Sequence, residues 1–240
     1  MKTAVCFSGQ CRALQYTYLN LKHYLIDNLG DCDVFIHACK DKYSDDNELF
    51  LDYLEPTILV LEEDKKIDDV GIKHQQRTHN VQEYLQMVTS WKSSNDLRLQ
   101  YEKEKNIKYD RVIRTRLDIK LFDPFPREIN EYDLNYLYVP DFHSFACVQG
   151  KGRNDRFAFG NSKNITIYSN MIDNIRQYSK EGHIIHAEST LYYHLNKQNI
   201  KVKLCPIRFT RVRQYGEEID IRIMRDPSLW DEIDKPYLGD

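Results

Sequence analysis

Arg114, Arg116 and Asp118 occupy alternate positions within segment 109–121, YDRVIRTRLDIKL. On a strand of period two their side chains share one face. Val112 and Ile113 supply the β-branched bulk of a buried strand, yet three charges cannot enter an apolar core without partners. Two readings follow. The segment is an edge strand with a solvated charged face, or its C-terminal end opens into the cleft of an α/β sheet, where ligands bind. In such a cleft two guanidinium groups can grip phosphate bidentately, and one carboxylate can hold a divalent cation.

A second group of chemistry-bearing residues lies at the start. Residues 3–8 read as a buried strand, followed by the turn Gly9-Gln10-Cys11-Arg12 and a helix over about 14–29 that stops at Gly30. Strand, small polar turn and helix make a shape in which backbone N–H groups and an arginine meet an anion. Ser8, Gly9, Gln10 and Arg12 are therefore candidate ligand contacts. The dinucleotide fingerprint G-x-G-x-x-G is absent, and no G-K-[ST] follows.

The elements that must position these groups alternate. A short strand at 33–37 ends in His37, which reads more simply as a packed or solvent-facing histidine than as a ligand. A helix is expected over 45–53 with Ser44 as its N-cap, then a strand over 57–61 and a charged loop over 62–75. Residues 81–105 form a long helix whose buried stripe, Val81, Tyr84, Leu85, Val88, Trp91 and Leu99, is interrupted by Asn95. A polar group there is either hydrogen-bonded in place or aimed into a pocket. The order up to Asp118 predicts a mostly parallel sheet with helices between the strands.

After the centre, a strand is expected over 134–139 and a loop over 140–154. Asp155 then precedes a short aromatic strand ending at Gly160. A helix starts near Ser162, taken as its N-cap, and another opens at His186-Ala-Glu-Ser189. Glu188 in that first turn also has a simple reason to be there, since acids favour helix N-termini. A last strand covers 201–213, and the tail from 214 is polar.

The chain has 240 residues, 41% hydrophobic and 30% charged, with a net charge of -3 that argues against bulk nucleic-acid binding. No apolar run approaches the ~18 residues of a membrane span, and the N-terminus reads as a strand rather than a signal peptide. Six scattered cysteines, Cys6, Cys11, Cys32, Cys39, Cys147 and Cys205, form no C-x-x-C pair and read as reduced thiols. The expectation is one cytoplasmic domain over 1–240, of unspecified oligomeric state.

With the elements placed, the chain resembles the sugar-nucleotide glycosyltransferases of the GT-A fold found in bacterial polysaccharide loci and in large DNA viruses. The resemblance covers roughly residues 3–210 and rests on AVCFSGQCR, DVFIH, YDRVIRTRLDI, DRFAFG and HAESTLYYHL. It implies a nucleotide-sugar half over about 1–120, an acceptor half over about 121–213 and a tail over 214–240. The fold implied is GT-A-like: a mixed, mostly parallel sheet flanked by helices.

The same resemblance implies roles. Where that fold usually carries Asp-x-Asp for Mn²⁺ or Mg²⁺, this chain has Arg116-Leu117-Asp118, so only Asp118 carries over as a metal ligand. Asp31-Cys32-Asp33 precedes its strand and does not qualify. The late metal-binding histidine of the pattern is not evident, since the last histidine, His194, lies inside a helix. Glu188 takes the place of the base that receives the acceptor proton, with His186 or Asp155 behind it, and Asp155 bonds the donor sugar. Ser8, Gly9, Gln10, Arg12, Asn95, Arg114 and Arg116 fall on the nucleotide-sugar side. The activity the resemblance implies is metal-assisted transfer of a sugar from a nucleoside diphosphate donor such as a UDP-sugar to a glycan hydroxyl in polysaccharide biosynthesis. The alternatives are a catalytically inactive nucleotide-sugar-binding domain and another nucleotide-dependent transferase, such as a sulfotransferase.

Overall fold

A computed structural model describes residues 1–40, 45–74, 80–126, 132–143 and 151–219. Its centre is a seven-stranded sheet in the order β3-β2-β1-β4-β7-β6-β8. The strands are β1 (Thr3–Gln10), β2 (Cys32–Cys39), β3 (Ile58–Glu62), β4 (Arg111–Arg116), β6 (Leu137–Pro140), β7 (Phe157–Gly160) and β8 (Val202–Cys205). The first four run parallel. β7 is antiparallel to both of its neighbours, and β6 pairs parallel with β8. This is the mixed, mostly parallel sheet flanked by helices that the sequence predicts.

Alternation along β1 divides the core into two layers. Val5 and Phe7 pack with Leu14, Leu21 and Leu25 of the first helical region. That region comprises α1 (Leu14–Asn20), a π-helical stretch (Leu21–Ile26) and α2 (Asp27–Leu29). Gly30 ends it at a φ of 74°, a conformation that glycine adopts without Cβ strain. Ala4 and Cys6 face the other way, toward Val88 and Trp91 of α3 (Val81–Lys105) and Ile165 of α4 (Ser162–Ser169). That layer also holds α5 (Ile172–Lys180) and α6 (Ala187–Lys197).

Several local expectations change. Segment 109–121 is not one strand. It divides into β4 and β5 (Ile119–Leu121), and β5 pairs with β9 (Phe209–Arg211) in a separate two-stranded sheet. Asp118 lies in the bend between β4 and β5, where Arg116 folds back onto it. The expected strand 201–213 divides likewise into β8 and β9, with Pro206, which has no N–H for a ladder, in the gap. Segment 45–53 forms two 3₁₀ turns (Asp45–Phe50 and Asp52–Leu54), in keeping with the weak helix propensity of its Asp-Asp-Asn start. Its expected cap, Ser44, lies outside the described residues. At α4 the cap is Asn161, whose side chain accepts from Asn164 N, because Ser162 Oγ instead accepts from Arg98.

Cys6, Cys11, Cys32, Cys39 and Cys205 are free thiols, and Cys147 lies outside the described residues. Burial pushes Cys6 up to about 11, and Cys39 and Cys205 up to about 12, so none of these three is a ready nucleophile. Among the described residues no helix is long and apolar enough to cross a membrane.

Candidate functional site

The parallel strands converge their polar ends at one edge. Ser8 stands in register with His37 on one side and Arg116 on the other. The expected turn at Gly9 starts later, since β1 continues through Gly9, whose φ of 119° favours glycine, and Gln10, both paired with β2. Gly9 N donates to Ser90 Oγ at 3.1 Å, and Ser90 is itself fixed by His37, with Oγ 2.8 Å from Nδ1. Glu62 holds the far nitrogen of that imidazole at 3.0 Å. The chain Glu62–His37–Ser90 therefore fixes the C-terminal end of β1 at Gly9. Ser90 is buried and already engaged, so this arrangement positions backbone rather than offering a nucleophile.

Arg114 lies fully buried beneath that edge. It donates to Ser8 Oγ at 3.2 Å and to the Asp155 carbonyl, and its guanidinium carbon is 4.1 Å from the Trp91 ring centroid. Arg116 is nearer the surface. Its Nε and Nη2 donate to Asp118 Oδ1 and Oδ2, both at 2.6 Å, and Arg12 Nη2 approaches Oδ2 at 3.5 Å. Burial alone would push the Asp118 carboxyl up, but Arg116, then Arg12 and Arg211, hold it well below the usual carboxylate range. Gln10 is occupied by Asp64 at 3.2 Å.

The acceptor-side candidates form a continuous buried chain with this edge. Asp155 Oδ1 accepts from Arg156 Nη1 at 2.8 Å, and Arg156 Nη2 donates to Glu188 Oε1 at 3.0 Å. His186 Nδ1 stands 3.4 Å from Glu188 Oε2, though not aligned for a hydrogen bond. Burial opposes ionisation of Asp155, but Arg156, Arg116, Arg114 and Arg211 together pull its carboxyl below the ordinary value. Arg153 N donates to the Glu188 carbonyl at 3.0 Å, which ties the segment before β7 to the start of α6.

Asn95 is not drawn into either group. Its Oδ1 accepts from Arg98, which also donates to Ser162 and Thr166 and pairs with Glu102. That network joins α3 to α4. The residues that sequence reading passed over are Arg156, Arg211 and Arg213. Arg211-Val212-Arg213 brackets a fully buried valine with two arginines, the same alternation that marks Arg114-Thr115-Arg116. Val212 N donates to the Asp118 carbonyl at 2.8 Å, so this second arginine pair lies beside the Asp118 bend.

Among the described residues, Arg12 and Arg116 pair with Asp118, Arg156 pairs with Asp155 and Glu188, Arg114 donates to the Asp155 carbonyl, and Arg211-Val212-Arg213 lies beside the Asp118 bend, so guanidinium groups outnumber the carboxylates they meet. An edge of that charge suits a polyanion such as a diphosphate. It suits a divalent cation poorly. Such an ion takes about six or more oxygen ligands, whereas both Asp118 oxygens are engaged by Arg116. No cluster of three His, Cys, Asp or Glu side chains able to hold an ion occurs among the described residues.

Over residues 1–216 the chain matches the family described as "Domain of unknown function (DUF7796)". No curated protein sequence matches it. It is similar in structure to a crystallised candidate nucleotide-diphospho-sugar transferase from Desulfovibrio desulfuricans G20, with 14% identity and a TM-score of 0.39, over 85% of this chain and 79% of that one. A likeness so distant carries nothing about activity.

Proposed function

The chain belongs to the DUF7796 family, and we propose, from its own site, that it is a glycosyltransferase of GT-A-like type, moving a sugar from a nucleoside diphosphate donor to a glycan hydroxyl. The observation that supports this reading is the surplus of guanidinium charge at the ends of the parallel strands, continuous with the buried Asp155–Arg156–Glu188–His186 chain. Such transfer needs stabilisation of the departing diphosphate and a group to receive the acceptor proton.

In this reading Arg12 and Arg116 meet the donor phosphates, and Ser8, Gly9 and Gln10 line the nucleotide side. Arg114 holds Ser8 and the Asp155 backbone in place, and Asn95 steadies the helix pairing behind them. Asp155 and Arg156 face the transferred sugar. Glu188 receives the acceptor proton, with His186 beside its Oε2. Asp118 is the group that a divalent cation would use. Because its surroundings do not fit that ion, no step is assigned to a metal.

A second reading, an inactive nucleotide-sugar-binding domain, is favoured by one feature: Arg156 occupies both candidate acids, Asp155 and Glu188. Turnover separates the two. The purified chain, incubated with UDP- and GDP-sugars and a mixed glycan acceptor pool, should release nucleoside diphosphate and extend a glycan. Binding of a nucleotide sugar with no turnover on any acceptor would select the inactive domain, and no binding at all would remove both readings.

A further inference from the structure

Asp118 and Arg116 form a closed fork, with two parallel N–H···O bonds of 2.6 Å each. Guanidinium and carboxylate match each other in this way, and the same fork matches phosphate. Arg12 approaches the same carboxylate at 3.5 Å. A carboxylate so placed is the counter-ion of an arginine cluster rather than the opening of a cation cage.

The C-terminal hairpin adds to that cluster. β5 and β9 pair with Ile119 opposite Arg211, and Val212 N bonds the Asp118 carbonyl. Val212 is fully buried, so on an extended chain Arg211 and Arg213 point to the opposite side from it. The hairpin is closed by Arg213 N to Glu217 O at 2.9 Å, by Gly216 N to Arg213 O at 2.9 Å and by the bridge between Val212 and Glu218. Burial lowers the Arg213 pKa, and the charges of Arg211, Arg12 and Arg116 add to that while Asp118 opposes it. Like charges gathered in this way repel unless an anion joins them.

We infer that this edge binds the diphosphate of its nucleotide ligand through guanidinium groups alone, without a divalent cation, and that Arg211 and Arg213 are phosphate ligands alongside Arg12 and Arg116. The inference rests on the nucleotide-sugar reading above. The positive charge that a metal would supply to the leaving diphosphate comes from these side chains. Asp118 is then a counter-ion that competes with phosphate for the Arg116 fork.

Calorimetric titration of the full chain with UDP and with GDP, each in excess EDTA and in Mn²⁺, tests this. Wild-type affinity for the preferred nucleotide should agree within about threefold between the two conditions, since guanidinium–phosphate forks need no metal. The cation reading predicts that Asp118→Asn abolishes binding. Here the same change removes one negative charge near the phosphates and should tighten binding in EDTA by about 3–10-fold. The Arg211→Gln, Arg213→Gln double variant should weaken binding at least about tenfold, with a melting temperature close to wild type. Affinity at least about tenfold higher in Mn²⁺ than in EDTA would overturn the inference and leave the nucleotide-sugar reading standing. Binding of neither nucleotide in either condition would overturn both. Wild-type affinity in the double variant would remove Arg211 and Arg213 from the site.

Discussion

The Arg114 guanidinium carbon lies 4.1 Å from the centroid of the Trp91 ring, and both side chains are fully buried. Shielded from water, such a contact is worth about 2 kcal/mol. It joins β4 to α3 directly below the polar edge, while the same guanidinium supports Ser8 and the Asp155 backbone. Arg114 is thus the platform on which the ligand-facing groups rest.

Its removal should be felt as stability. Arg114→Ala is expected to lower unfolding free energy by about 2–5 kcal/mol, since it opens a large cavity and leaves buried acceptors unpaired. Chemical denaturation measures this. Unchanged stability with nucleotide binding erased would instead mean that Arg114 faces the ligand.

Glu188 and Arg156 give the second expectation. If Glu188 receives the acceptor proton, Glu188→Gln should reduce turnover by ~10²–10⁴ with donor affinity retained. The amide keeps the shape and one acceptor for Arg156, so the melting temperature should move little. A loss of stability with turnover within a few-fold of wild type would reduce Glu188 to the ion-pair partner of Arg156. The corresponding Asp155→Asn variant would then be assayed for the same split.

Acid sensitivity is built into the helical layer. His194 accepts from Tyr178 O–H at 2.7 Å and donates from Nε2 to the Ile167 carbonyl at 2.8 Å. Burial pushes its pKa below the ordinary 6.5, and burial does the same to His183. The folded chain therefore holds these rings neutral where the unfolded chain already takes up protons. Their contribution is complete above about pH 6.5 and is lost as pH falls toward the lower folded values. Thermal melts should show stability falling from about pH 7 to about pH 5, with a shallower fall in His194→Gln. An identical pH slope in that variant would exclude His194 as a source of the acid sensitivity.

The sheet and most helices were legible in the sequence because period and punctuation agree. β1, β2 and β4 have buried centres, and the helix end at Gly30 carries the expected residue. The divisions of 109–121 and 201–213 were not legible, because they depend on a pairing between β5 and β9 that is distant in sequence. The edge itself is partly visible, since the Ser8–Arg12 turn and the Arg114–Asp118 strand each stand out, and the register of Ser8 with Arg116 joins them. Asn95 was visible as a break in an apolar stripe, but its partner Arg98 lies a turn further along the same helix and was not considered. Arg211 and Arg213 showed the same alternation as the central motif. Only the tertiary contact from Val212 to Asp118 gives it meaning.

The central claim is that the arginine-rich edge holds the diphosphate of a nucleotide donor. Co-crystals with UDP or GDP test it most directly. The account predicts diphosphate oxygens within hydrogen-bond distance of at least two of Arg12, Arg116, Arg211 and Arg213, with the nucleoside toward Ser8 and Gly9. A nucleotide bound at any other face of the domain, with these arginines still closed around Asp118, would contradict it.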